Sequence, residues 1–293
     1  MTSPPPPGFD PEALFAHRIP DVRQRYAARD TILYALSLGA GADPLAPEAL
    51  RHCLEDRLQA LPTQALVLGA PGFWLRDGPA GVDWRRVLHG EQRLQLHRPL
   101  PPEGEVIGRS RIVALIDRGA TGAILHVARR LETADGALLA TIAQSAVLRG
   151  HGGFGRDFGI APPPLAPVPE TAPAHRLGLP TRPEAALLYR LNGDRNPLHA
   201  DPEVARKAGF DRPILHGLAS FGIAARGLIA TLCPDEPGRL RAIEARFAAP
   251  VFPGEALLVE VWPGGDAARF RVVVEGRGVV LSHGSARIGP AGG

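Results

Sequence analysis

The stretch Tyr189–Gly222, YRLNGDRNPLHADPEVARKAGFDRPILHGLASFG, decides how this chain is read. Asn192-Gly193-Asp194 predicts a tight turn, because these residues tolerate the backbone angles that turns require. Asn196-Pro197 is a second turn signal. Asp201, just before Pro202, is placed to N-cap a short helix through Lys207, which Gly209 can end. Asp201 is therefore read as a cap and no more. Asp194 and His199 share one folded loop, where a carboxylate and an imidazole can converge on a single small group. Such a pair can take a proton from water and deliver another to carbon, if burial and neighbours tune both groups.

Downstream, Pro213–Gly217 leads into LASFGIAARGLIATL, which stops at Cys233-Pro234. Leu218, Phe221, Ala225, Leu228, Ile229 and Leu232 recur with helical spacing, and most intervening positions are apolar too. A helix apolar nearly all round is a buried one. Its first turn carries unpaired N–H groups and the positive end of the helix dipole. Gly217 offers no side chain to obstruct a ligand oxygen, so its N–H is suited to stabilise an oxyanion developing on a carbonyl. His216, at the helix entry, is read either as a packing histidine or as a substrate contact.

Taken together, G-D-x-N-P-L-H-x-D-P, A-x-x-x-G-F and P-I-L-H-G-L resemble the hydratase 2 motif of the MaoC-like dehydratases. The resemblance implies a hot-dog fold and hydration of trans-2-enoyl-CoA to (3R)-3-hydroxyacyl-CoA, with the CoA thioester as substrate and no cofactor. By position it implies Asp194 and His199 as the catalytic pair, Asn196 as a holder of water and substrate, and Gly217 as oxyanion donor. Pro197, Leu198 and His216 line the implied substrate site, Arg195 lies near its mouth, and Phe247 in RFAAPVFPGE is the implied substrate-contacting aromatic. YAARDTILYALSLGAG, ALPT, LHGEQ, RPLPPEG and GGFG resemble the N-terminal half of the same family. That half lacks the G-D-x-N-P-x-H string and is expected to be a degenerate copy whose space holds the acyl chain. His89, Gly90 and Arg118 stand where relatives contact CoA. Arg118 replaces the usual Lys, keeping a cation for phosphate with a different geometry. The alternative reading of His89-Gly90 is a strand-entry turn.

Composition fits this picture. Of 293 residues, 45% are hydrophobic, enough for a sizeable core. The 34 glycines and 31 prolines predict short elements and frequent turns. The formal charge of +3 is carried almost wholly by arginine, with Lys207 the only lysine. That mild, scattered basicity suits a polyanionic small ligand, and no Lys/Arg run points to nucleic acid. Cys53 and Cys233 are far apart, and neither cysteines nor histidines show metal-ligand spacing, so no metal and reduced thiols are expected. No apolar run approaches membrane length. Met1–Gly8 lacks the apolar core of a signal peptide, and IGPAGG at the end carries no peroxisomal address, so a cytoplasmic location is expected.

The predicted fold class is α+β, with two tandem hot-dog folds of which the N-terminal one is degenerate. Each is a long central helix wrapped by a bent antiparallel sheet. The predicted boundaries are a disordered leader at 1–15, the N-terminal copy at 16–160, a Pro-rich linker at 161–174, and the catalytic copy at 175–293. Within Val22–Gly41, Tyr26, Ile32, Leu33, Leu36 and Leu38 are predicted to lie in a helix that Gly39 and Gly41 can end, and LEDRLQALPTQALVLG reads as a helix then a strand. Residues 86–150 read as successive strands separated by glycine turns. PLPPEGE and PVFPGE occupy the same place in each half, which marks an internal repeat. The resemblance and an exposed sheet edge predict a homodimer. Three rivals stay open: a hydratase for a branched or dicarboxylic CoA ester, a hot-dog thioesterase, and a non-catalytic acyl-CoA-binding protein.

Overall fold

The computed structural model describes residues 8–77 and 80–290. Its strands are β1 (Val22–Tyr26), β2 (Val87–Leu96), β3 (Gly104–Asp117), β4 (Gly122–Thr133), β5 (Leu138–Arg149), β6 (Phe158–Gly159), β7 (His175–Pro180), β8 (Leu240–Phe247), β9 (Ala256–Gly264), β10 (Ala267–Val274) and β11 (Gly278–Ile288). Six helices accompany them: α1 (Pro11–Ala16), α2 (Ala28–Ser37), α3 (Pro47–Leu50), α4 (Ala185–Tyr189), α5 (Pro202–Lys207) and α6 (Gly217–Leu232). Among the described residues the strands form one antiparallel sheet in the order β1-β3-β4-β5-β2-β8-β11-β10-β9-β7, with β6 beside β3. The runs β3-β4-β5-β2 and β9-β10-β11-β8 have the same connectivity, so the repeat legible in the two proline turns is a repeat of fold.

The lobes meet where β2 pairs with β8, Leu94 opposite Ile243 and Glu91 opposite Arg246. Arg246 donates through Nε and Nη2 to Glu91 Oε1 at 3.1 and 2.8 Å, and Arg93 bridges Glu91 and Glu244. The proline-rich segment 161–174 is tied down next to this seam. Pro163 O accepts from Arg93 Nη2 at 2.6 Å, Leu165 is buried, and Thr171 O accepts from Trp262 Nε1 at 2.9 Å.

Helix α6 matches its predicted span and is buried against β7, β8, β9 and β11. Close approach is possible because Gly222 and Gly227 carry no side chain. A Cβ on Gly222 would lie 2.7 Å from Leu38 Cδ1, and one on Gly227 would lie 3.0 Å from Val259 Cγ2. One core joins Tyr34, Leu61, Leu94 and Leu131 of the first lobe to Phe221, Leu228, Val259 and Phe270 of the second.

The first lobe has no equivalent long helix among its described residues, which corrects the expectation of a wrapped helix in each half. Residues 55–66 form 3₁₀ turns at Glu55–Arg57 and Pro62–Leu66, not a helix and a strand. Pro62 denies this region a continuous helical ladder, since it has no N–H to donate. The residues of Pro62–Leu66 are all buried, packed against α6 and β2. Tyr26 ends strand β1 and does not belong to the following helix. Ala27 starts α2 by donating its N–H to Asp30 Oδ2 at 2.9 Å, and Tyr26 Oη donates to Pro101 O at 2.8 Å.

The leader expectation also needs correction. Residues 1–7 lie outside the described residues, but Asp10 caps α1 through Ala13 N at 2.9 Å. Phe9 and Leu14, the latter 2% exposed, join Ile19, Leu115, Leu125 and Leu148 in a second core on the first lobe. Because residues two apart along a strand share a face, Leu125 of this cluster and Leu131 of the main core lie on the same side of β4. The N-terminal segment thus covers apolar sheet that the missing helix leaves open.

Candidate active site

The quoted stretch folds as a series of short turns that bring polar groups to the start of α6. Asn192 Nδ2 reaches back to Ser37 Oγ and Tyr189 O, each at 3.0 Å, which fixes the loop to α2. Gly193 then turns the chain at φ +114°, a conformation that costs other residues more. Asp194 Oδ1 accepts the Asn196 N–H at 3.1 Å, leaving Oδ2 for a ligand. Asn196 Oδ1 accepts the Leu198 N–H at 3.1 Å and caps the 3₁₀ turn Pro197–His199, so only the Nδ2 end of its amide is open to ligand. Asp201 caps α5, with Oδ1 2.8 Å from Glu203 N, as its sequence position implies.

His199 is 9% exposed and lies 2.9 Å through Nδ1 from Ile214 O. A carbonyl only accepts, so Nδ1 carries the proton and Nε2 keeps a lone pair. Burial holds this imidazole below its usual pKa, against the opposing pull of Asp194 and the Ile214 hydrogen bond. Its neutral form can therefore accept a proton. His216 lies under it, with ring centroids 3.8 Å apart and planes at 28°. At 1% exposure, His216 faces protein and does not line the open site.

Helix α6 begins beside this pair. Ala219 and Ser220 both donate to His216 O, at 3.0 and 3.2 Å, so the intrahelical ladder leaves the N–H groups of Gly217 and Leu218 outside it. The edge of Phe247 crosses directly over Gly217, where an added Cβ would meet Cε1 at 3.0 Å.

The first lobe contributes His89. A register shift in β2 between His89 and Glu91 marks a bulge at Gly90, where a Cβ would lie 2.7 Å from Ser145 Oγ. Bulges re-aim side chains, and here the imidazole packs against Phe247 of the second lobe, with centroids 4.4 Å apart and planes tilted by 50°. Although the residue as a whole is half-buried, its Nε2 is shielded and has no protein partner. Burial pushes its pKa down to about 4, opposed by a backbone hydrogen bond and by the nearby Asp194 charge. His89, Asp194, His199, Gly217 and Phe247 thus cluster where the lobes meet. Pro197 and Leu198 flank the cluster half-buried, and Arg195 projects exposed from the same loop.

Arg118 is exposed at the β3–β4 connection and is tied by no described side-chain contact to this cluster. The ladder does place it at the same end of the sheet as His89: Leu125 lies opposite Ala146, and Ala146 opposite His89. Two strand spacings, about 10 Å, separate β4 from β2. Asp194, His199 and His216 each bring one donor atom within 4.8 Å of the others, so these three could hold a metal ion, a cluster not visible as ligand spacing in the sequence. Sequence reasoning also missed Tyr189, whose ring lies 4.9 Å from that of His216, and the tie from Asn192 to Ser37.

Comparison with known proteins places this geometry in a family. Residues 164–283 match the MaoC like domain, and residues 24–150 match the MFE-2 hydratase 2 N-terminal domain. The chain is 39% identical over 94% of its length to enoyl-CoA hydratase ChsH3 of Mycobacterium tuberculosis, covering 97% of that protein. The chain belongs to the MaoC-like hydratase 2 family. It is 35% identical to the peroxisomal enoyl-CoA hydratase 2 of Arabidopsis thaliana, with 92% of each chain covered. A crystal structure of a MaoC-like dehydratase from Phytophthora capsici superposes with a TM-score of 0.83 at 28% identity, covering 96% of this chain and all of that one. A Mycobacterium tuberculosis protein described as a double hot-dog fold shares the fold, with a TM-score of 0.55 at 15% identity over 92% of this chain and 94% of that one.

Proposed function

We propose that this chain is an (R)-specific 2-enoyl-CoA hydratase, a hydro-lyase adding water reversibly to trans-2-enoyl-CoA. The observation that carries the reading is the gathering of a carboxylate, a neutral imidazole and a helix-terminal N–H outside the intrahelical ladder around the start of α6. The thioester carbonyl would accept from Gly217 N–H, which favours the enolate-like state reached when water adds at C3. A water held between Asp194 Oδ2 and His199 Nε2, with Asn196 Nδ2 beside it, attacks C3. Its proton passes through the pair to C2, so the addition balances without an outside acid. The thioester is the substrate, and the step needs no resident cofactor or metal. His89 and Phe247 would flank the acyl thioester, and the exposed Arg118 and Arg195 would offer cations to CoA phosphate.

A thioesterase would direct water at the carbonyl carbon. Here the pair comes from the 194–199 loop and the proposed oxyanion donor from the start of α6, a division of roles that suits attack at the β carbon. The measurement that tests the assignment is steady-state hydration of a 2-enoyl-CoA by Asp194→Asn and His199→Ala. Each is expected to lose about 10²–10⁴-fold in kcat, the usual size of a general acid–base contribution. Near-normal kcat in either variant overturns the assignment.

We further propose a homodimer, supported by the sheet edges offered by β1 and β7 at its two ends. Light scattering at the mass of a monomer would refute it. A cytoplasmic setting is part of the same proposal and suits the free thiols of Cys53 and Cys233, although the relative from Arabidopsis is peroxisomal.

A further inference from the structure

We infer that His216 is a positioning residue that locks the catalytic loop to the oxyanion helix. The inference rests on the hydratase reading and assigns this residue a role different from substrate contact. Its backbone carbonyl is the first acceptor of α6, taking the N–H groups of Ala219 and Ser220. Its side chain reaches the other way, with Nε2 3.2 Å from the carbonyl oxygen of Asp194. One residue therefore sets the start of the helix that presents Gly217 N–H and also holds the backbone of Asp194.

The chemistry fixes the tautomer. Asp194 O can only accept, so His216 Nε2 carries the proton and Nδ1 has a lone pair. Nδ1 is buried with no protein partner, a cost that persists only where the other contacts outweigh it. Two rings pack against the imidazole. His199 stacks on it at 3.8 Å, and Tyr189 lies 4.9 Å away at 47°. The arrangement gives His199 a flat, neutral support that sets the direction of its own Nε2. If this tether is lost, Asp194 and Gly217 can move independently. A misplacement of about 1 Å between reacting groups can cost about 10²-fold in rate.

Two substitutions separate the contacts. His216→Phe keeps a ring under His199 but removes the donor. His216→Gln replaces the donor with an amide N–H but removes the ring. The expected result for His216→Phe is a kcat about 10–100-fold lower with KM within about threefold. His216→Gln should recover about tenfold of that loss at comparable melting temperature, which a merely structural role would not produce. A His216→Phe enzyme with wild-type kcat overturns the inference, as does a folded His216→Gln enzyme no better than His216→Phe. A readout independent of turnover is the histidine nitrogen NMR spectrum of the wild-type chain near pH 7. A neutral His216 protonated on Nε2 is expected. Protonation on Nδ1, or on both nitrogens, overturns the inference even if the phenylalanine variant does not fold. If instead wild-type protein shows this tautomer yet hydrates no enoyl-CoA, the proposed activity fails and the tether stands.

Discussion

Lowering the pH from 7 to 5 should destabilise this protein, and His216 should account for a definable share of the loss. Burial, the largest influence on this imidazole, pushes its pKa down to about 3 in the folded chain. In the unfolded chain it titrates near 6.5. Above pH 6.5 neither state binds the proton and the group has no effect. As pH falls below 6.5 the unfolded chain takes up a proton that the folded chain refuses, so stability drops. The drop stops once the folded pKa is passed. At pH 5 the gap is about 1.5 pH units, or about 2 kcal/mol at 1.4 kcal/mol per unit. His89, whose pKa falls to about 4, adds a similar amount by the same route. About 4 kcal/mol is a large part of the roughly 5–15 kcal/mol that holds a typical domain together. The assay is urea unfolding at pH 7 and pH 5 for wild type and His216→Gln, whose side chain does not titrate. The variant should start less stable at pH 7 and lose about 2 kcal/mol less than wild type on acidification. Equal losses in the two proteins would refute the buried, neutral placement of His216.

Three other perturbations probe separate parts of the account. Leu14→Ala should cost roughly 2–5 kcal/mol in chemical denaturation, the usual price of emptying a buried leucine site, whereas a disordered leader would show no change. Gly217→Ala puts a methyl 3.0 Å from Phe247 Cε1 over the proposed carbonyl site. It should lower kcat about 10–100-fold with little change in melting temperature, since alanine is a good helix residue. Glu91→Gln weakens the charged seam between β2 and β8. Glu91 is 16% exposed in its side chain and Arg246 41%. A loss of about 1 kcal/mol that shrinks in high salt is therefore expected from unfolding curves.

The second lobe was more legible than the first for a physical reason. Its signals are local: the Gly193 turn, the Asp201 cap and the largely apolar run of α6 each act within a few residues. Helix α6 could be bounded to the residue because Gly217 opens it and Pro234 follows its end. Strands β2–β5 and β8–β11 were similarly marked by alternating apolar residues and glycine turns. In the first lobe, tertiary packing overrides local preference. Tyr26 has helical neighbours, yet it pairs with Gly104 in the sheet and donates to Pro101 O. Residues 55–66 look amphipathic, but Pro62 interrupts them, leaving an exposed 3₁₀ turn at Glu55–Arg57 and a buried one at Pro62–Leu66 against α6. Phe9 and Leu14 sit in a proline-rich setting that resembles disorder. Only the bare apolar face of β3–β5 explains why they are buried.

At the site, the motif brought Asp194, Asn196, His199 and Gly217 together on the page before any coordinate. What it could not supply was direction. That His199 donates through Nδ1 depends on Ile214 O, fifteen residues away. That His216 turns inward to Asp194 O depends on how α6 enters the second lobe. His89 reaches Phe247 of the second lobe because Gly90 bulges β2 and the lobes pair through β8. These are long-range consequences of sheet register, and a string of residue types does not carry them.

The most direct test of the central claim is to incubate the purified chain with a trans-2-enoyl-CoA, follow the enoyl thioester absorbance, and resolve the product on a chiral phase. The account expects the absorbance to fall to an equilibrium, with (3R)-3-hydroxyacyl-CoA formed and no thiol released. An unchanged absorbance, free CoA, or a (3S) product would contradict it.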